Sequence, residues 1–187
     1  MYWSLHLMEA QLDRVLIHHQ ASVGYSTCFW HTVRDALPLY DPTGWFAALQ
    51  TKTTCPYPED LRRAVVAMNY PIPRESGASF SRQIELAVAR GDVVSVQHQV
   101  TALLSSYVDV LFAVNRLPHP GEKRLLAIAR RDCALVPEAI DERVLAVIAA
   151  AGATPADGAV VDRAHALIDG LEDVLQREGL LSPEESR

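Results

Sequence analysis

Apolar side chains along most of this chain recur every three or four positions, the period that lines one face of an α-helix. The longest such stretch runs from about Val93 to Arg116. Val93, Val96, Val100, Leu103, Leu104, Tyr107, Leu111 and Val114 form its main stripe, and Val94, Val108 and Phe112 widen it. A helix of that length extends roughly 36 Å, and so broad an apolar surface predicts a central place in a bundle. Before it, Phe80, Ile84, Ala87 and Val88 predict a helix that closes at Arg90-Gly91-Asp92. Gly91 suits a left-handed C-terminal cap and Asp92 an N-cap, so these two helices should form an antiparallel hairpin. After Pro118 and Pro120-Gly121, helices are expected over Glu122 to Cys133, Ile140 to Ala151 and Val160 to Glu178.

The N-terminal part is less regular. Tyr2 to Leu7 alternates polar and apolar residues and predicts a short strand. From Glu9 to Gln20 the period turns helical, through Leu12, Val15 and Leu16. Gly24, among Ser22, Ser26 and Thr27, marks a break, and a short helix follows through Trp30 to Leu37. Asp41-Pro42 has the form of a helix start, with Asp as N-cap and Pro at the first helical position. Cys55-Pro56-Tyr57-Pro58 ends that helix, and Glu59 to Asn69 forms another. Pro71, Pro73 and Ser76-Gly77 then mark a boundary. The expected architecture is an all-α, up-and-down helical bundle over residues 75–181, preceded by an irregular helical arm over 1–74 and followed by a polar tail over 182–187.

Composition supports a folded chain. Of 187 residues, 49% are hydrophobic and 21% charged, which excludes a mostly disordered protein. The net charge of −6 argues against a general nucleic-acid partner. No apolar run approaches the roughly 18–20 residues of a membrane span, and Met1 to His6 lacks the basic start of a signal peptide. Cys28, Cys55 and Cys133 are far apart and form no C-x-x-C pair, so reduced thiols and a cytoplasmic location are expected. Fifteen Arg stand against two Lys, Lys52 and Lys123, which makes each lysine conspicuous.

Few familiar chemical motifs occur in the sequence. The glycines are dispersed and form no phosphate-binding loop. His18-His19 are adjacent, so on a helix they point about 100° apart and do not suggest a metal pair. His98, Ser105 and Asp109 share one helical face, but seven residues rise about 10 Å, too far for a nucleophile and its base. Their functional reading is a polar strip lining a groove; a solvated helix face is the preferred alternative. Asn115 to Arg124 is the densest polar cluster, at the junction of two helices. A helix start with Lys123 and Arg124 suits an anion such as phosphate, and a proline-bracketed exposed turn is the equal alternative.

Ser105-Ser106-Tyr107-Val108-Asp109-Val110-Leu111-Phe112-Ala113-Val114-Asn115-Arg116, followed by Pro118-His119-Pro120-Gly121-Glu122-Lys123, resembles the C-terminal helical domain of bacterial nucleotidyltransferases of the polymerase-beta-like superfamily, which includes the aminoglycoside nucleotidyltransferases. Leu39-Tyr40-Asp41-Pro42-Thr43-Gly44-Trp45-Phe46 resembles the segment that leaves the catalytic domain in that family. The likeness covers roughly Leu39 to Cys133, and its most specific part is the Asn-Arg…Pro-Gly-Glu-Lys string.

The resemblance implies a helical domain that faces a catalytic site and helps to bind a small-molecule acceptor. It implies that Lys123 and Asn115 lie toward the nucleotide, and that Tyr107, Asp109, Arg116 and Glu122 lie near the acceptor. The family's catalytic sheet carries a Gly-Ser turn and an Asp-x-Asp pair that hold divalent metals, and this sequence contains neither. The chain thus resembles the family with its catalytic half missing. A nucleoside triphosphate with Mg²⁺ is expected only alongside a catalytic partner domain, and no metal site is expected in this chain. Two alternatives remain. One is a small helical enzyme of another class, its cavity lined by His98, Tyr107, Asp109 and Asn115, with Asp109 and His98 as catalytic candidates. The other is a non-catalytic module that self-associates through Trp30, Trp45 and Phe46.

Overall fold

The computed structural model describes residues 5–70, 79–152 and 158–181, and the fold is all-α. The expected boundary at Pro71, Pro73 and Ser76-Gly77 and the expected polar tail lie outside the described residues, as do Tyr2 to Ser4. Leu5 to Leu7 are helical, which corrects the expected strand. They open α1 (Leu5–Leu16), whose buried Leu12 and Val15 keep the helical spacing. Next come α2 (Cys28–Asp35), with Trp30 and Val33 inside, and α3 (Trp45–Lys52), with Leu49 inside.

The start of α3 departs from the expectation at Asp41-Pro42. Gly44 takes φ +71 and holds Asp41 to Thr43 out of the helix. Asp41 still caps it from outside, since its Oδ2 accepts the Ala47 N–H at 3.0 Å. In α4 (Glu59–Asn69), Glu59 and Asp60 sit in the first turn, where the helix dipole favours negative charge.

The α5 (Phe80–Ala89) and α6 (Val93–Val114) helices form the expected hairpin. Gly91 has φ +66. The Asp92 side chain accepts the Ser95 N–H at 3.0 Å, as an N-cap should. Two shorter helices follow, α7 (Leu125–Asp132) and α8 (Ile140–Ala151). The α7 start falls later than expected because Gly121 and Arg124, at φ +88 and +54, keep the intervening residues out of the helix. The last is α9 (Ala159–Arg177).

The central helix is α6, which packs against α4, α5, α8 and α9. Every residue from Ser106 to Val114 is buried, so its C-terminal half has no solvent face. Val94, in the first turn, is exposed instead of widening the stripe. The α4 helix is two-sided. It gives Leu61 and Val65 to an N-terminal cluster with Leu12, Trp30, Leu49 and Ala113. It gives Val66, and Tyr70 just beyond its end, to the main core.

Polar ties stitch these layers together. The buried Arg62 guanidinium donates to Glu59 at 3.2 Å and to Glu178, beyond α9, at 2.8 Å. Tyr70 Oη donates to Glu172 at 2.7 Å, and Trp30 Nε1 donates to the Thr53 carbonyl at 3.0 Å. Among the described residues, no helix is long and apolar enough to cross a membrane.

Candidate functional site

A cleft of about 600 Å³ opens beside the exposed half of α6. Helical spacing builds its floor. Val100, Leu104 and Val108 recur four apart, and Gln97, Thr101 and Ser105 form a parallel polar row one residue round the helix. Leu125 and Leu126 of α7 and Val144 and Ile148 of α8 make apolar walls. Tyr25, His119, Glu122 and Arg124 complete it from two loops. Tyr25 and Arg124 both have φ +54, an infrequent conformation for residues with a side chain.

The first loop is fixed by a buried polar knot. Both Asp109 carboxylate oxygens accept the Ser26 N–H at 3.1 Å. Asn69 Nδ2 donates to Asp109 Oδ2 at 3.2 Å and to the Ser22 carbonyl at 2.9 Å. Asn69 Oδ1 accepts the Gly24 N–H at 2.7 Å. Gly24 is needed there twice over. Its φ is +65, and a Cβ would come within 3.1 Å of the Ser105 Cβ. Burial pushes the Asp109 carboxyl up to about 6, and the donors from Ser26 and Asn69 oppose that rise. The favoured solvated reading of Asp109 is therefore corrected: the side chain is buried, with protein donors on both oxygens.

The second loop is anchored to the first. The His119 N–H donates to Thr27 Oγ1 at 2.8 Å, next to the residue that Asp109 holds. The His119 ring is fully buried and makes an edge contact with Tyr25 at 5.0 Å. Phe112 lies 5.6 Å from it on the other element. His119 Nδ1 accepts the Gly121 N–H at 2.9 Å. Burial lowers its pKa to about 4, so the imidazole is neutral near pH 7. His119 Nε2 is buried and has no hydrogen-bond partner.

No protein-family model, curated protein or solved structure matches this chain.

Among the residues singled out from sequence, Ser105, Glu122 and Arg124 line the cleft. Lys123 is exposed, between the rim residues Glu122 and Arg124. Asn115 is a structural clamp: its Nδ2 donates to the Leu111 and Leu135 carbonyls at 2.8 Å, and its Oδ1 accepts the Leu135 N–H at 2.7 Å. Arg116 reaches α4 and pairs with Glu59 at 3.2 Å. Tyr107 is a core residue whose phenol is pushed above its ordinary pKa by burial.

The expected polar strip divides into three environments. His98 is exposed and outside the cleft lining, Ser105 lines the cleft, and Asp109 is buried behind the Tyr25 loop. Ser105 Oγ donates to the Thr101 carbonyl at 3.1 Å and lies 3.4 Å from Tyr25 Oη. His18 is exposed, and His19 Nδ1 lies 3.8 Å from Asp60. Among the described residues, no three His, Cys, Asp or Glu side chains are grouped to hold a metal. Sequence reasoning missed His119, Tyr25, Thr27 and Asn69. The Pro118-His119-Pro120 run was the one available signal, because two prolines fix the backbone around a titratable ring.

Proposed function

We propose that this chain is the helical acceptor-binding part of a nucleotidyltransferase-like system, holding a small molecule in the cleft beside His119. The supporting observation is convergence. Ser105, Val108, His119, Glu122 and Arg124 come from the segment that resembles that family, or directly adjoin it, and all line one cleft. A cleft of this volume, apolar with a few polar groups, has the usual character of a small-molecule site. The sequence holds no Gly-Ser…Asp-x-Asp motif, so metal-bound triphosphate is assigned to a separate catalytic domain. In that arrangement Lys123, at the rim, meets the triphosphate when the catalytic domain closes over the cleft. Asn115 and Arg116 act as positioning residues that fix the end of α6, through Leu135 and Glu59.

Thermal unfolding tests the nucleotide part. Mg²⁺-ATP should raise the melting temperature of this chain only when a catalytic nucleotidyltransferase chain encoded beside it is also present. Lys123→Ala should remove the rise and Lys52→Ala should keep it. No shift in either setting rejects nucleotide binding.

A different surface supports self-association. Leu37, Leu39 and Tyr40 are 84%, 95% and 86% exposed. They adjoin a groove of about 430 Å³ that includes Met8, Trp45 and Phe46. Such a concentrated apolar patch suits a second copy of the chain. Trp30 does not belong to it, since its ring is buried and its Nε1 is bonded to Thr53. Light scattering should show a dimer that Leu39→Asp converts to monomer; a wild-type monomer at high concentration rejects this reading.

A further inference from the structure

The cleft is elongated, and its charge is confined to one turn. Val100, Leu104 and Val108 follow one another four apart, so the apolar floor extends about 12 Å along α6. Leu126 and Ile148 add hydrocarbon walls. Charge enters the lining only with the turn before α7. Glu122 and Arg124 belong to the lining, and Lys123 stands exposed between them. Two cations thus face one carboxylate. Elsewhere Arg34, Arg62, Arg82, Arg116, Arg130 and Arg131 each meet a carboxylate within ion-pair distance. Among the described residues, Lys123 and Arg124 meet none. The planar fork of an unpaired guanidinium offers two parallel N–H donors to a carboxylate. Apolar walls beside it make that attraction stronger than it is in open water.

We propose that the cleft binds an amphipathic monoanion, an extended apolar body ending in one carboxylate, with the body along Val100, Leu104 and Val108 and the carboxylate on the Arg124 guanidinium. This rests on the reading of the cleft as a small-molecule site and names the class of acceptor it holds. The charge count sets the single negative charge. Lys123 offsets Glu122, which leaves the Arg124 charge for the ligand. A dianion would bring its second charge against Glu122, and a cation would meet two like charges on the same turn. Burial of the body against the floor supplies most of the affinity. The charge then selects among bodies of equal shape. Gln97, Thr101 and Ser105 form the neutral row beside the floor. Ser105 Oγ already donates to the Thr101 carbonyl at 3.1 Å, so this row borders the body and leaves the head to Arg124.

Nuclear magnetic resonance on the full chain, with ¹³C-labelled methyl groups, tests this directly. The probes are octanoate, 1-octanol, octylammonium and octyl phosphate, which share a chain and differ in the charge of the head. Octanoate should shift the methyl groups of Leu104, Val108, Leu126 and Ile148. It should bind about fivefold more tightly than 1-octanol, the scale of a part-exposed ion pair. Octylammonium should bind more weakly than 1-octanol, and octyl phosphate no more tightly than octanoate. Arg124→Gln should bring octanoate and 1-octanol within about twofold. Arg90→Gln makes the same change of charge at an exposed residue outside the cleft and should keep the difference. The comparison of probes is made first in the wild type, so it does not depend on either variant folding. Binding of 1-octanol or octylammonium as tight as that of octanoate, with the methyl shifts present, overturns the anionic class and leaves the cleft a small-molecule site. Tighter binding of octyl phosphate overturns the single charge. An octanoate preference that survives Arg124→Gln overturns the assignment of the carboxylate to Arg124. No methyl shift from any probe at millimolar concentration rejects both the proposal and the small-molecule reading of the cleft.

Discussion

Replacing His119 by Phe, or Asp109 by Asn, should give the folded chain opposite pH dependences across one and the same window. Burial raises the Asp109 carboxyl from 3.8 to about 6. The folded state thus binds its proton more tightly than the unfolded state. That contribution to stability is complete below pH 3.8 and is lost as pH rises through 6. Burial lowers the His119 imidazole from 6.5 to about 4. Here the folded state binds its proton more weakly. That contribution is complete above pH 6.5 and is lost as pH falls through 4. One pKa unit corresponds to about 1.4 kcal/mol, so each group contributes on the order of 3 kcal/mol with opposite sign. In the wild type the two nearly cancel between about pH 4 and 6.5.

Each variant unmasks the group that remains. Asp109→Asn should lose about 3 kcal/mol relative to wild type as pH falls from 6.5 to 4. His119→Phe should gain about the same over that interval. Asparagine still offers one oxygen to the Ser26 N–H, and Phe still packs against Phe112 and Tyr25, so each change adds a largely pH-independent offset. Urea unfolding followed by circular dichroism, at half-unit steps from pH 4 to 7.5, gives the needed differences. Other acidic groups titrate in all three proteins and drop out of the comparison. If both variants stay parallel to wild type across the window, neither group is held far from its ordinary pKa and the electrostatic account of the knot fails.

Four further substitutions test packing and backbone. Leu103→Ala or Leu111→Ala, both fully buried on α6, should each cost about 2–5 kcal/mol in urea unfolding; a loss near zero would remove α6 from the centre of the core. Gly24→Ala, at φ +65 and tight against Ser105, should cost about 1–2 kcal/mol, and amide exchange should quicken at Tyr25 and Ser26 before it does in α6. Asn115→Ala leaves the Leu135 N–H and carbonyl without their partner and should cost about 1–3 kcal/mol, whereas Asn115→Ala with wild-type stability would mean that solvent satisfies that loop.

The helices were legible where a single apolar stripe ends at a clear stop. Glu59–Asn69 and Ile140–Ala151 have the expected bounds, since Pro58 and Gly152 flank unbroken stripes. The strand expected over Tyr2 to Leu7 fails at Leu5 to Leu7, because six residues carry too little period to separate strand from helix. Leu5, Met8, Leu12 and Val15, spaced by three and four, fit a helix and outweigh a short alternation. The cleft was not legible, because its parts come from Tyr25, α6, the 119–124 loop, α7 and α8, and helical period says nothing about which distant loop covers a face. Asp109 shows the limit most clearly. Spacing places it on one face with His98 and Ser105, yet α6 is enclosed on all sides from Ser106 to Val114. A carboxylate in such a stretch must find donors or be expelled. Its donors come from Ser26 and Asn69, 83 and 40 residues away. Ser26 in turn sets Tyr25 and Thr27, and both touch His119. Asp109 thus acts on the cleft without lining it. The polar residue in the most apolar segment of this chain records a contact with a remote loop, and that loop packs against the His119 imidazole.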